Sequence, residues 1–185
     1  MFLDRDGTIN TEVDFLSSPD ALELIPRAGE AIHELNRLGT KVFVITNQSG
    51  IARGFFSEED LAKVHLRLES LLEPHASRID KIYYCPHHAT LGRAPYNITC
   101  ECRKPNSGML ELARREFGVH LDKSFVIGDR RVDMEAGRKA GATTILVRTG
   151  YGEVEEEECL AAGCADLVVG NIYEAVQVIK HKLFS

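Results

Sequence analysis

The sequence holds no run of about 18 apolar residues, the minimum for a helix that crosses a bilayer. It also lacks the basic start and long apolar stretch of a secretion signal, opening instead on Met1-Phe2-Leu3-Asp4-Arg5-Asp6. These absences predict a cytosolic protein with no membrane partner. A surplus of positive charge is missing too: 22 Lys and Arg stand against 28 Asp and Glu, for a net charge of −6. That balance excludes the broad basic footprint of a nucleic-acid or anionic-lipid binder, while a few local cations suffice for a small phosphorylated substrate. The cysteines, Cys85, Cys100, Cys102, Cys159 and Cys164, are odd in number. In a reducing compartment that pattern points to metal binding rather than a disulfide framework. No internal repeat occurs, and the one biased stretch, the acidic run Glu153 to Glu158, reads as a solvated helix start.

What is present is the balance of an ordinary globular chain, 44% hydrophobic and 27% charged over 185 residues, enough for a sizeable core. At roughly 150 residues per domain, one domain over 1–185 is expected, with an elaborated loop over 85–102. Short apolar segments alternate with longer ones of helical period, which predicts an α/β fold, a doubly wound parallel sheet with helices on both faces. The expected strands are Met1 to Leu3, Lys41 to Thr46, Lys81 to Cys85, Ser124 to Ile127, Thr143 to Val147 and Leu167 to Val169. Expected helices cover Arg27 to Leu38, the stretch from Ser57 to Pro74, Ser107 to Phe117, Asp133 to Ala140 and Tyr173 to Lys182. Ser57 and Asp60 have the spacing of a capping box, and Gly118 stands where a left-handed residue closes a helix. A central parallel strand commonly needs about five or six residues. The segment ahead of Asp4 is shorter than that, so the first strand is expected to be short or cut back.

Asp4-Arg5-Asp6-Gly7-Thr8 puts two carboxylates directly after an apolar strand, with Gly7 free to turn the backbone sharply. In an open parallel sheet that is where ligands bind. A plain turn is the bland alternative. A calcium loop needs more oxygen ligands before its glycine. Arg5 reads as a strand-end surface cation. Three further signals flank other predicted elements: Thr46-Asn47-Gln48-Ser49-Gly50, Arg103-Lys104-Pro105, and Gly128-Asp129 with Asp133. Asp133, four residues after Asp129, would share a helical face with it if the helix begins there.

Cys85-Pro86-His87 and Cys100-Glu101-Cys102 offer three thiolates and one imidazole, which can close a tetrahedron around Zn²⁺. No position would remain open for water, so a structural zinc is expected. His88 is the rival imidazole, and the C-x-H spacing favours His87. Cys159 and Cys164 lie far downstream and are expected to be unligated. The zinc loop ends at Cys102, so folding around the metal would fix Arg103 and Lys104.

Taken in order, the acidic pair, hydroxyl residue, lysine and final acidic group resemble the haloacid dehalogenase superfamily of phosphotransferases. The resemblance spans nearly the whole chain and implies that superfamily's Rossmann-like core, here without room for a separate cap domain. It also implies a chemistry. Phosphate monoesters require accelerations up to about 10²¹, and a dianionic ester repels an anionic nucleophile unless a metal intervenes. Asp4 would attack phosphorus to form an aspartyl phosphate, with Mg²⁺ held by Asp4, the backbone carbonyl of Asp6 and Asp129. Asp6 would start protonated beside negative neighbours, act as acid for the leaving oxygen and then as base for water. Thr46 and Lys104 would stabilise the transferring group electrostatically. Asp133 would orient Lys104 or a metal-bound water, with metal ligation as an alternative.

Within the superfamily, the zinc loop ending in Cys-Arg-Lys-Pro is similar to that of the phosphatases of heptose 1,7-bisphosphate. Histidinol-phosphate phosphatases are the nearest relatives, with a shorter loop than the His88 to Thr99 segment found here. The resemblance implies release of the C7 phosphate in the nucleotide-heptose pathway of bacterial surface polysaccharides, lipopolysaccharide among them. It also implies that Glu12, Val13, Asp14 and Phe15, together with Thr46, Asn47, Gln48 and Ser49, hold substrate. Arg103 would recognise the distal phosphate. Arg130 would reach substrate, and departs from the lysine often found there. Loops at Glu12 to Pro19 and Gly50 to Phe56, with the zinc loop, would form an open mouth for a small phosphorylated sugar. A monomer is expected. The reading from a different class, a zinc-stapled binding protein with a vestigial acidic pair, is opposed by the presence of every expected catalytic residue.

Overall fold

A computed structural model describes residues 1–184, with the side chains of residues 1–182. Strands β1 (Phe2–Leu3), β2 (Phe43–Asn47), β3 (Lys81–Cys85), β4 (Phe125–Gly128), β5 (Thr143–Val147) and β6 (Leu167–Val169) form one sheet. All pairs are parallel and the order is β3-β2-β1-β4-β5-β6. Seven helices are described: α1 (Ala28–Arg37), α2 (Gly50–Arg53), α3 (Glu58–Leu72), α4 (Gly108–Phe117), α5 (Arg131–Lys139), α6 (Gly152–Ala161) and α7 (Ile172–Phe184).

Side chains alternate across the strands, and the alternation divides the core in two. Leu3, Val44, Ile127, Ile145 and Val147 pack with Ile32 and Leu35 of α1, Val64 and Leu68 of α3, and Val176 and Ile179 of α7. Phe2, Phe43, Ile45, Val126 and Leu146 pack on the opposite side with Met109 and Leu110 of α4 and Met134 of α5. Both faces of the sheet are thus covered, as expected of a doubly wound parallel sheet. The capping box of α3 is made, with Asp60 N–H donating to Ser57 Oγ at 3.1 Å and Ser57 N–H donating to Asp60 Oδ2 at 3.1 Å.

Strand order reverses between β1 and β4, the place where such sheets open a crevice at their carboxyl ends. Asp4 and Asp129 directly follow those two strands. β1 has only two residues, yet the ladder continues past it, with Asp4 N–H donating to Ile127 O at 2.8 Å. The four-residue α2 was not expected from the sequence, whereas the acidic run, read as a helix start, does lie at the beginning of α6. α5 begins at Arg131, after Asp129 rather than with it, so Asp129 and Asp133 do not share a helical face. Their carboxylates nonetheless lie within 4.8 Å of each other, Asp129 directly after β4 and Asp133 in the first turn of α5.

Candidate active site

The floor of the crevice is a buried cluster of charge. Lys104 Nζ lies 2.8 Å from Asp4 Oδ1 and 2.5 Å from Asp133 Oδ1, and donates to Ile45 O at 2.7 Å. Lys104 comes from a loop, and its backbone is tied to β2 by the Asn47 amide. Lys104 N–H donates to Asn47 Oδ1 and Asn47 Nδ2 donates to Lys104 O, both at 3.0 Å. Asp133, in the first turn of α5, accepts the Arg130 N–H on Oδ2 at 3.0 Å. Asp129 accepts the Tyr151 N–H on Oδ2 at 2.8 Å, while its buried Oδ1 has no hydrogen-bond partner. Gly7, at φ +76°, passes so close that a Cβ there would lie 2.1 Å from Asp129 Oδ2. No L side chain adopts that turn cheaply.

Carboxylate oxygens of Asp4, Asp129 and Asp133 lie within 4.8 Å of one another, and Lys104 pairs with two of them, Asp4 and Asp133. Burial, and then the charge of Asp133, lift Asp4 to about 7 against the pull of Lys104. Burial together with Asp4 and Asp133 lifts Asp129 to about 9. Lys104 is held above its ordinary value because Asp133 and Asp4 outweigh the cost of its burial. Such a surplus of negative charge, with one orphaned carboxylate oxygen, fits a hard divalent cation.

Asp6 sits beside this floor in a cage of donors. Arg5 approaches through Nε and Nη2 at 2.8 to 3.0 Å, Asn10 Nδ2 at 3.0 Å and Gln48 Nε2 at 2.9 Å. Arg5 is fully buried, which corrects its reading as a surface cation: its fork is taken up by the neighbouring Asp6 carboxylate, and the chain turns over it, with the Thr8, Ile9 and Asn10 N–H groups donating to Arg5 O. Gln48 also donates to Thr46 Oγ1 at 2.7 Å.

Above the floor is a cavity of about 280 Å³ whose walls include Glu12, Val13, Asp14, Phe15, Asn47, Gln48, Ser49, Arg103 and Arg130. Burial, and then the charges of Asp6 and Asp4, lift Glu12 to about 7. Tyr151, Arg53 and Val132 also line the cavity and were not singled out in the sequence. Tyr151 carries the Arg130 guanidinium over its ring at 4.4 Å and reaches Asp14 at 3.3 Å.

At the edge of the same crevice Cys85, His87, Cys100 and Cys102 converge. The sulfurs stand 3.0 to 3.5 Å apart, and His87 Nδ1 is 3.3 Å from Cys102 Sγ and 3.7 Å from Cys85 Sγ. A tetrahedron with Zn–S of about 2.3 Å has edges of about 3.8 Å, so this donor set suits zinc after a small expansion. His88 points elsewhere, its Nδ1 accepting the N–H groups of Thr90 and Leu91. Hydrogen bonding from Cys85 brings Cys102 down to about 5, whereas Cys85, hydrogen-bonded to Cys102 and buried, is pushed up.

A family model described as HAD-hydrolase-like matches residues 101–175. Over 181 residues the chain is 39% identical to the D-glycero-beta-D-manno-heptose-1,7-bisphosphate 7-phosphatase of Photorhabdus laumondii, covering 97% of this chain and 94% of that one. This chain belongs to the heptose-1,7-bisphosphate 7-phosphatase family. The corresponding protein of Chlorobaculum tepidum is 40% identical over 185 residues, 95% of this chain and 91% of its own. A crystal structure of D,D-heptose 1,7-bisphosphate phosphatase from B. bronchiseptica, complexed with magnesium and phosphate, superposes with a TM-score of 0.85 at 31% identity, covering 98% of each chain. Membership in the heptose-1,7-bisphosphate 7-phosphatase family makes the chain a phosphoric monoester hydrolase.

Every residue singled out for this family from the sequence falls in one of three places: the charged floor, the cavity wall, or the Cys/His cluster. Two behave differently from a simple ligand-binding role. The Asn47 amide is spent on the backbone of Lys104, and that of Gln48 on Asp6 and Thr46. Arg5 and Asn10, which cage Asp6, and Gly150 and Tyr151, which close over Asp129, were missed. The D-R-D-G-T-I-N spacing carried a usable signal for Asn10, since a residue just past a sharp turn can face back toward it.

Proposed function

We propose that the chain removes the C7 phosphate of D-glycero-D-manno-heptose 1,7-bisphosphate through an aspartyl phosphate on Asp4. The observation that carries this reading is the buried Asp4 at the end of β1, 2.8 Å from Lys104 and open to a cavity sized for one small phosphorylated sugar. An Asp4 oxygen attacks phosphorus, and the bond to the C7 oxygen breaks as Asp6 gives that oxygen a proton. Water then attacks the anhydride, Asp6 takes its proton, and phosphate leaves with Asp4 restored. The acid step requires Asp6 to turn out of the Arg5 fork toward the leaving oxygen, because its direct partners are donors rather than the negative groups expected. Lys104 and the Thr46 hydroxyl face the transferring oxygens, and Asp133 holds Lys104 in place. Mg²⁺ bound by Asp4, Asp129 and the Asp6 carbonyl would offset the repulsion between the ester and these carboxylates. Structural zinc in the Cys85, His87, Cys100 and Cys102 set would keep the loop leading to Arg103 and Lys104 folded.

Phosphate release from heptose 1,7-bisphosphate and from histidinol phosphate, each with and without Mg²⁺, tests this assignment. Heptose bisphosphate is expected to be turned over preferentially, and only with the cation. Preferential release from histidinol phosphate would overturn the substrate, and full activity after removal of divalent ions would overturn the metal.

A further inference from the structure

Three guanidinium groups face the cavity, those of Arg53, Arg103 and Arg130. Two of them are tied to the protein. Arg103 Nη1 donates to His87 O at 3.1 Å, and Arg130 pairs with Glu155 at 3.3 Å. Arg53 is different: its side chain makes no hydrogen bond or ion pair with the described residues, and its buried Nε has no partner. Its one recorded contact is the face of Phe15, 5.2 Å from the guanidinium carbon to the ring centre. Phe15 in turn meets Phe55 edge to face at 4.6 Å, and both rings are exposed.

That placement separates Arg53 from the chemistry. Lys104 and Asp4 lie on the buried floor, whereas Arg53 closes the short α2 and leans on the aromatic pair at the mouth. Arg53 and Arg130 are nonetheless both near enough for their charges to act on Arg103. The wall also carries the carboxylates of Glu12 and Asp14, but neither pairs with Arg53, whose donors are left over for an anion that enters the cavity. A planar fork with free donors is best matched by a phosphate or carboxylate, which it can grip through two parallel hydrogen bonds.

We propose that Arg53 binds the phosphate that is not transferred, and that with Arg103 it makes the enzyme favour a bisphosphorylated sugar over the corresponding monophosphate. The inference rests on the proposed reading of the site as a sugar bisphosphate phosphatase. Phe15 acts as the platform that presents the guanidinium to the mouth.

The test compares kcat and KM of the metal-loaded parent, Arg53→Gln and Arg53→Lys on heptose 1,7-bisphosphate and on heptose 7-phosphate. Loss of a charge-assisted hydrogen bond to phosphate corresponds to a drop of about 10- to 100-fold in kcat/KM. Arg53→Gln is expected to show that drop on the bisphosphate, carried by KM, and a drop of no more than about threefold on the monophosphate. Arg53→Lys, which keeps the charge and loses the fork, is expected to fall between parent and Gln variant. Equal losses on both substrates, or none on the bisphosphate, would overturn the proposal. Should Arg53→Gln fail to fold, the same comparison with Arg53→Lys decides. If the parent ignores both heptose phosphates, the proposed substrate fails. The variants are then compared on the best sugar bisphosphate of a panel and its monophosphate, where a retained preference in Arg53→Gln overturns the role of Arg53 and a lost preference upholds it.

Discussion

Replacing Lys104 with Met keeps much of the stem's volume and deletes the cation that bridges two of the three buried carboxylates, Asp4 and Asp133. In the parent, Lys104 Nζ contacts Asp4 at 2.8 Å and Asp133 at 2.5 Å, and all three side chains are nearly inaccessible. Breaking a buried pair by removing one partner costs about 3 to 5 kcal/mol, because the remaining charge is stranded. For a domain of this size that lowers the melting temperature by about 6 to 20 °C. The loss has a pH signature. Asp4 already stands at about 7 in the folded state, above its ordinary 3.8, with Lys104 pulling it down. Without the lysine it rises further. A carboxylate raised on folding contributes stability below its unfolded value and loses it as pH climbs through the folded value. The gap between parent and variant is therefore small near pH 4 and widens toward pH 8. Urea denaturation at pH 4, 6 and 8 measures it, with turnover expected to fall by about 10² to 10³. Adding Asp133→Asn to Lys104→Met should recover part of the stability, through a coupling of about 1 to 3 kcal/mol. A gap that does not change with pH, or a double variant no more stable than Lys104→Met, would refute the charge argument.

Zinc should be found in one equivalent per chain. Chelation or Cys102→Ser is expected to lower the melting temperature and reduce kcat/KM by more than about tenfold, since the loop that delivers Arg103 and Lys104 loses its staple; elemental analysis with kinetics checks this, and unchanged turnover in metal-free protein would sink it. His65 gives a separate acid effect. Burial, and then the Arg5 charge, bring it down from 6.5 to about 3, so the unfolded chain takes up a proton that the folded one refuses. Stability should fall as pH drops from about 6.5 toward 3, by up to about 1.4 kcal/mol per unit. His65→Gln should remove that slope, and identical slopes in denaturation series at pH 4.5 and 7.5 would contradict it.

The parts of the site legible in the sequence were those in which one residue announces its own position. Asp4, Thr46 and Asp129 each end an apolar, β-forming run, so strand order alone puts them at one edge of the sheet. Ser57 with Asp60, and Gly118, mark helix ends through bonds only a few residues long. The parts that were hidden depend on partners far away in the chain. The Asn47 amide grips a backbone 57 residues distant, and nothing local distinguishes it from an asparagine that faces ligand. Arg5 looked solvated because its burial depends on the folded cage in which Asn10 and the distant Gln48 join it around the Asp6 carboxylate. α2 is too short to show a helical period, and α6 conceals its buried Cys159 within a run of glutamates. Arg53 was overlooked for the same reason as α2, which carries it.

The two halves of the candidate site have different architectural owners. Asp4 and Asp129 belong to the rigid carboxyl edge of the sheet, while Lys104 and its neighbouring arginine arrive on an excursion anchored at Cys85 and Cys102 and clipped to β2 by one amide. On the proposed reading, the sheet edge fixes where the two carboxylates stand, whereas the length and course of the excursion set how far the neighbouring arginine reaches over the crevice, so the two can be altered separately.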